Sequence, residues 1–413
     1  MASGKICIIG GGIIGLMNGW YLHRAGFDVM ILDADDITDN TSFGNAGLLS
    51  AFEKDPLAHP GVLLATVKLM LQGRSPLSFA PTLDPLLYRW LIRFIASATP
   101  QRLKKTLALF ERYGTMGMEG YRQLFEDGIE YELHTDGLLL VYTETKSYAA
   151  KLKQMKGNPH HHVLSKAEIE RALPLAKQDK IEGALLLDRD AYLDPETLML
   201  GLKKRLQDAG VALHTGQRVV ALERDDKRII AATTATQRYE ADTFVLATGA
   251  DAGLARTLGR TLMMVPAKGY SVTFGMDAAL KPSTAALFVD IFTALSPRDT
   301  SVRITGKLEL GRHDTIAHPK IIDRIVRTLK EYTVDFELRD PKPWAGLRPL
   351  TPNDMPLIGR DAEYGNLIYA TGLGWLGITL APAIAHILRD QITQNLPNEA
   401  SPDILLLSGF YQG

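Results

Sequence analysis

The run Gly10-Gly11-Gly12-Ile13-Ile14-Gly15 has the spacing G-x-G-x-x-G. An apolar stretch, Lys5 to Ile9, precedes it, and a helical pattern, Ile14 to Arg24, follows. A phosphate-binding turn requires that setting. Gly10 permits the tight turn, Gly12 lets the backbone approach a pyrophosphate, and Gly15 lets the helix lie close to the strand. The first helical turn, with Ile13 and Ile14, offers unpaired N–H groups and a partial positive charge to the anion. Asp33 closes the next apolar run, 18 positions after Gly15 (33 − 15). A carboxylate there, followed by Ala34, can accept hydrogen bonds from ribose hydroxyls. These residues predict a dinucleotide site, and NAD and FAD satisfy them equally.

Other chemically suggestive residues carry less. His160-His161-His162 lies in a loop, where neighbouring histidines share no helix face, and no carboxylate cluster flanks it. The expectation is a solvated loop and no metal. Cys7 is the single cysteine, so one chain can build neither a disulfide framework nor a thiolate metal cage. The 413 residues carry a formal net charge of -1, and 46% are hydrophobic. That is globular composition for two or three domains, without the basic field that attracts nucleic acid.

The elements that must position the turn read as β-α-β at the N-terminus, with strands at 5–9 and 29–33. Residues 60–128 are mostly helical, broken by Pro76, Pro81, Pro85 and Pro100. Segments 61–72 and 86–98 are the most apolar helical candidates, but both carry charge and are too short to span a bilayer. They read as core helices or as a surface that docks on a membrane or redox partner. Leu138–Tyr142 reads as a strand, 195–209 as a helix opened by Pro195, and 219–224 and 243–247 as strands. Residues 266–310 alternate as antiparallel strands, and 319–333 form a helix. A strand at 367–370 leads through glycines into a helix from about Ala381, with Pro382 in its first turn. The predicted class is α/β (α+β overall): a Rossmann-like domain and a second domain of antiparallel sheet plus helices. The expected cofactor domain is discontinuous (1–82, 193–262 and 341–413), and 83–192 and 263–340 form the substrate domain.

Beyond the first turn, Thr41-Ser42-Phe43-Gly44-Asn45-Ala46-Gly47-Leu48 supplies glycines and hydroxyls that suit close contact with a ligand. This segment resembles the flavin-contacting stretch of the D-amino-acid oxidase superfamily, in particular its D-amino-acid dehydrogenase branch. Leu193-Asp194-Pro195 and the strand around Val219 are similar to that family's adenine-side elements. Phe244 to Ala250, with Thr248 and Gly249, resembles its second glycine-bearing strand. Pro266 to Ser271 resembles a strand that carries an active-site tyrosine. Trp344-Ala345-Gly346-Leu347-Arg348-Pro349 is similar to the signature before the last flavin segment. Ala370 to Pro382, with Gly372, Gly374, Gly377, Ile378 and Thr379, resembles that segment itself. Two positions depart from common patterns: Leu373 stands where members often have histidine, and Trp375 where glycine-oxidase-like members place arginine.

The resemblance implies FAD, and because Cys7 sits in the first strand rather than late in the chain no cysteinyl link forms, so the cofactor is expected to be non-covalent unless a histidine or tyrosine tethers it. It implies oxidative deamination of a small amino acid, a D-amino acid or a cyclic imino acid such as a proline derivative. Hydride leaves Cα for flavin N5, and the imine hydrolyses to a keto acid. Arg348 is the candidate for the substrate carboxylate, since a guanidinium can bind it with two parallel hydrogen bonds. Tyr270 and Arg303 are further carboxylate candidates. Electrons are expected to pass to a quinone or a redox protein, in a cytoplasmic enzyme that associates peripherally with the inner face of the membrane if the apolar helices dock there. The alternatives are an oxygen-using oxidase that makes hydrogen peroxide and an FAD-binding electron-transfer subunit of a larger complex.

Overall fold

A computed structural model describes residues 4–37, 40–50, 56–59, 61, 75 and 77–395. The candidate helix at 61–72 lies, but for Gly61, outside the described residues.

The glycine turn belongs to a six-stranded sheet. Its order is Ala212–His214, Asp28–Leu32, Lys5–Ile9, Thr243–Leu246, Leu367–Thr371, Leu357–Arg360. All neighbours are parallel except the last pair. Alternation divides the strands between two cores, as expected for parallel strands buried on both faces. Ile6, Ile8, Val29, Ile31, Val245 and Ile368 face the helices Ile13–Arg24, Pro195–Asp208 and Gly377–Thr393. Cys7, Ile9, Met30, Leu32, Phe244 and Tyr369 face a three-stranded antiparallel sheet, Ala221–Asp225, Arg228–Thr233 and Arg238–Glu240. Val219, expected to begin the first of these strands, instead precedes it and packs in the same core.

The second large sheet has nine strands and is mixed rather than purely antiparallel. Ala286–Phe288 runs parallel to Leu138–Tyr142, and Leu77–Phe79 runs parallel to Val302–Leu310. Arg339–Leu350 forms one edge of this sheet, followed in order by Val265–Gly275, Val302–Leu310 and Thr293–Pro297. Leu77–Phe79 and Arg339–Leu350 thus pair outside the cofactor sheet, although the expected cofactor segments contained most of both. One face of the large sheet carries Tyr270, Val272, Phe274 and Ile304, covered by helix Pro319–Lys330. The other face, at Val265, Ala267, Leu310 and Leu350, is covered by Leu87, Trp90 and Phe94 of helix Pro85–Ser97.

Two local expectations are corrected. The last helix starts at Gly377, so Pro382 lies inside it rather than in its first turn. Proline has no N–H for the carbonyl four residues back, here that of Ile378. The Tyr121 hydroxyl donates to that carbonyl instead. Tyr121 lies on helix Pro100–Glu126, whose Gly117 and Gly120 bring it against Thr379 and Pro382. The histidine run is also not a simple loop: His161–Val163 is an edge strand. Asp188 bonds His160 Nδ1 at 3.0 Å and His162 Nε2 at 2.8 Å. No group of three or more metal-ligating side chains occurs among the described residues.

Candidate active site

The glycine turn is held from both sides. Gly10 N–H donates to the Leu32 carbonyl (2.8 Å), and Ala247 N–H donates to that of Ile9 (2.8 Å). Gly10 has φ +110°, and a Cβ there would strike the Ala247 carbonyl, so only glycine fits. Gly12 precedes the helix in extended backbone, and Ile13 N–H donates to Ser42 Oγ at 3.0 Å. Gly15 leaves no room for a Cβ beside the Gly10 carbonyl. Asp33 accepts from the N–H groups of Gly11 and Asp35, while burial raises its carboxyl above the usual range. Ala34 follows it, half-buried, beyond the carboxyl end of the strand Asp28–Leu32.

The 41–48 segment links this turn to the other two glycine-bearing segments. Thr41 Oγ1 donates to the Leu347 carbonyl (3.2 Å), Asn45 Oδ1 accepts from Gly47 N–H (2.9 Å), and Ala46 lies half-buried between them. Leu48 pairs with Tyr192, and its carbonyl accepts from Thr379 Oγ1 at 3.2 Å. Thr371 Oγ1 donates to the Gly249 carbonyl, and Thr248 Oγ1 to that of Asp251, each at 2.5 Å. Gly374 N–H donates to the Pro349 carbonyl at 2.9 Å. Gly372 and Gly374 have φ +75° and +54°, and Gly377 with Ile378 opens the last helix. Segments distant in sequence therefore converge. A Cβ on Gly249 or Gly377 would meet nothing within 4 Å, so both backbones face open space, as a closely approaching ligand requires.

The two arginines sit differently. Arg348 pairs with Ala267, and its side chain runs over Gly269, whose missing Cβ makes the room. It is half-buried and has no hydrogen-bond or ion-pair partner among the described residues. Burial lowers its pKa from the usual guanidinium range. It does not pair with Asp354, which accepts from Ala58 N–H at 2.9 Å. A desolvated guanidinium without a counterion is suited to an anionic ligand. Arg303 is fully engaged by comparison. It donates to Thr273 Oγ1 (2.8 Å), to the carbonyls of Phe43 (2.5 Å) and Asn45 (2.8 Å), and to Glu196 Oε1 (3.0 Å). It ties the flavin-like loop to the sheet, and its donors are not aimed at a substrate.

Tyr270 is also corrected. Strand alternation sets it on the face opposite Arg348, in the core under helix Pro319–Lys330. Its hydroxyl donates to Glu309 Oε2 at 2.8 Å, and burial, with Glu309 next, raises its pKa. The residues that share the Arg348 face are its neighbours, Gly269 and Ser271. Cα pairing places Ser271 beside Trp344 and Thr305, and Ser296 beside Arg303. The Ser271 and Ser296 hydroxyls are buried without a partner among the described residues, an arrangement that points to a missing ligand or water. The alternation of the Pro266–Ser271 strand already contained the signal for Ser271. Gly346 and Gly44 both lie against the Trp344 ring.

The family model described as FAD dependent oxidoreductase matches residues 5–391. The chain belongs to this family. FAD is accordingly its cofactor, and the open glycine backbones, the two helix N-termini and Asp33 fit its pyrophosphate and ribose. Cys7 lies buried in the middle of the first strand, its thiol pushed up to about 12 by burial. A D-amino acid dehydrogenase of Helicobacter pylori (strain J99) is 42% identical over 408 residues, covering 99% of each chain. One of Vibrio atlanticus is 29% identical over 97% of this chain and 98% of its own. The fold matches glycine oxidase from Geobacillus kaustophilus (TM-score 0.71, 20% identity, 95% of each chain). It also matches L-proline dehydrogenase from P. horikoshii (TM-score 0.69, 16% identity, 99% of each chain). No helix among the described residues is long and apolar enough to cross a membrane.

Proposed function

We propose that this family member is an amino-acid dehydrogenase that deaminates D-amino acids, cyclic imino acids such as proline derivatives included, and passes electrons to a quinone or redox protein. The observation that carries the reading is Arg348, an unpartnered, desolvated guanidinium on the sheet face that Arg303 ties to the 43–45 loop. The names and full-length coverage of the curated relatives support the same substrate class.

In this reading Arg348 binds the substrate carboxylate through two hydrogen bonds and so fixes Cα. Ser271 lies on the same face and offers a hydroxyl to the substrate or the ring. Arg303 is a positioning residue that holds the loop. The bound flavin supplies two-electron acceptance: the Cα–H bond breaks, hydride leaves with its electron pair, and the amine nitrogen forms a double bond to Cα. Water then hydrolyses that imine to a keto acid and an amine. The N-terminus of the last helix, at Gly377, would stabilise negative charge on the reduced ring when the flavin is bound. The turn 10–15, with Asp33, holds the dinucleotide tail. The cofactor-binding and substrate-binding domains follow those drawn from the sequence, with the strand Leu77–Phe79 and the strand ending at Leu350 assigned to the substrate side.

An anaerobic panel of D- and L-amino acids tests the reading through flavin bleaching. D-amino acids bleach the yellow absorbance, and an artificial dye sustains turnover. If oxygen alone sustains full turnover with peroxide release, the protein is an oxidase and the dehydrogenase reading fails.

A further inference from the structure

Pro382 breaks the ladder of the last helix near the end that carries its free N–H groups. Gly377, Ile378 and Thr379 open that helix, and their N–H groups have no intrahelical partner. Leu376, before them, supplies no side-chain cap. Each of these N–H groups shares a peptide unit with the carbonyl of the preceding residue: Leu376, Gly377 and Ile378 in turn. Leu380 N–H donates to the first of these carbonyls at 2.8 Å, and Ala381 N–H serves the second in the regular helical pattern. The third falls to residue 382, a proline with no N–H.

The Tyr121 hydroxyl takes that place. Gly117, Gly120 and Tyr121 lie on one face of helix Pro100–Glu126, at i, i+3 and i+4. A Cβ at Gly117 would strike the Thr379 carbonyl, and one at Gly120 would strike Pro382. The two glycines therefore let the helices approach until the phenol reaches Ile378. Tyr121 is fully buried, and its own carbonyl accepts from the Tyr131 hydroxyl at 2.6 Å. Burial holds the Tyr121 hydroxyl well above the ordinary phenol range, so it remains a donor. Thr379, in the same peptide unit as the Ile378 carbonyl, is anchored on its other side by its hydroxyl, which donates to the Leu48 carbonyl. A phenylalanine at 121 would fill the same space and leave the Ile378 carbonyl unbonded.

We infer that Tyr121 is a positioning residue for the flavin chemistry: through the Ile378–Thr379 peptide, its hydroxyl strengthens the Thr379 N–H as a donor to the reduced ring and so raises the flavin's reduction potential. A hydrogen bond accepted by a peptide carbonyl polarises the unit and makes its N–H a better donor. The first two units of the turn receive that polarisation from the helix itself. The third receives it from a residue 257 positions away. The whole first turn is thereby set to meet the negative charge that two-electron reduction adds. The inference rests on the proposed place of the ring at the start of the last helix, and it is measured without substrate.

The test is the two-electron midpoint potential of the full-length, FAD-loaded protein, read anaerobically against reference dyes. Wild type, Tyr121→Phe and the double variant Tyr121→Phe/Pro382→Ala are compared. The wild-type potential is expected above that of free FAD. Tyr121→Phe should shift the equilibrium about fivefold towards oxidised flavin, the scale of one net hydrogen bond and about 20 mV for two electrons. In the double variant position 382 regains an N–H for the Ile378 carbonyl, and the potential should return to the wild-type value. A wild-type potential at or below that of free FAD would overturn the ring's placement and the inference with it. A raised wild-type potential that Tyr121→Phe leaves unchanged, even with a lower Tm, would overturn the inference alone and leave Tyr121 a structural partner of the proline. A lowered potential that the double variant does not restore would also overturn it, because the carbonyl would then not be the link.

Discussion

Arg303 and Arg348 lie on the same face of the same sheet, and their surroundings have little in common. The Arg303 guanidinium is committed: it holds two carbonyls of the 43–45 loop, a threonine and a glutamate, although the Ser296 hydroxyl beside it has no partner among the described residues. The Arg348 region is open: a guanidinium lies over a glycine with no partner among the described residues, and an unpartnered serine hydroxyl shares its face. Residue type alone therefore does not distinguish a structural arginine from one available to a ligand. What distinguishes them is whether the fold has already used the donors.

The sharpest way to break this contrast is Arg348→Ala. It should lower kcat/KM for a D-amino acid by about a thousandfold, the scale for removing one partner of a buried charge pair, with flavin content unchanged. Arg348→Lys should restore only part, because an ammonium cannot make the two-pronged contact. Equal loss of flavin and activity would make Arg348 structural. Arg303→Met should act in the opposite way, with about 3 kcal/mol lost from stability and lower flavin content, seen in thermal unfolding and in the flavin-to-protein absorbance ratio. A raised KM with unchanged stability would return Arg303 to the substrate site.

A smaller effect concerns pH. Burial raises Asp354 to about 6, above its ordinary value of 3.8. The folded apoprotein then holds a proton that the unfolded chain has released, so stability falls as pH rises from about 4 to about 6 and is level above that window. Denaturant titrations of the apoprotein should show this slope, and Asp354→Asn should reduce it. An unchanged slope would mean that another group is responsible. The smallest expected change is that of Tyr270→Phe. It removes a donor to Glu309 and should cost about 1 kcal/mol of stability, with kcat/KM within about twofold of wild type. A large loss of activity would put Tyr270 back at the reacting centre.

The local motifs were legible because their physics is local. A G-x-G-x-x-G turn between a strand and a helix, with an acid at the end of the next strand, needs only neighbouring residues to specify it. The same holds for the apolar runs that became the six-stranded sheet, and for the Pro195 start of its helix. The beginning of the last helix was misread because Pro382 looks like a first-turn residue. Only the Tyr121 hydroxyl, from a helix more than 250 positions earlier, makes an interior proline there tolerable.

By itself, the sequence determined where a glycine turn joins a strand to a helix, which strands are buried on both faces, and that residue 348 is a guanidinium inside a segment resembling a flavin-family signature. Tertiary structure decided which side of a strand each side chain takes and which donors remain free. Those outcomes depend on strand register, on the irregularity between Gly269 and Tyr270, and on contacts between distant segments. A one-residue change in pairing exchanges the two faces of a strand, and no window of sequence short enough to read contains both partners.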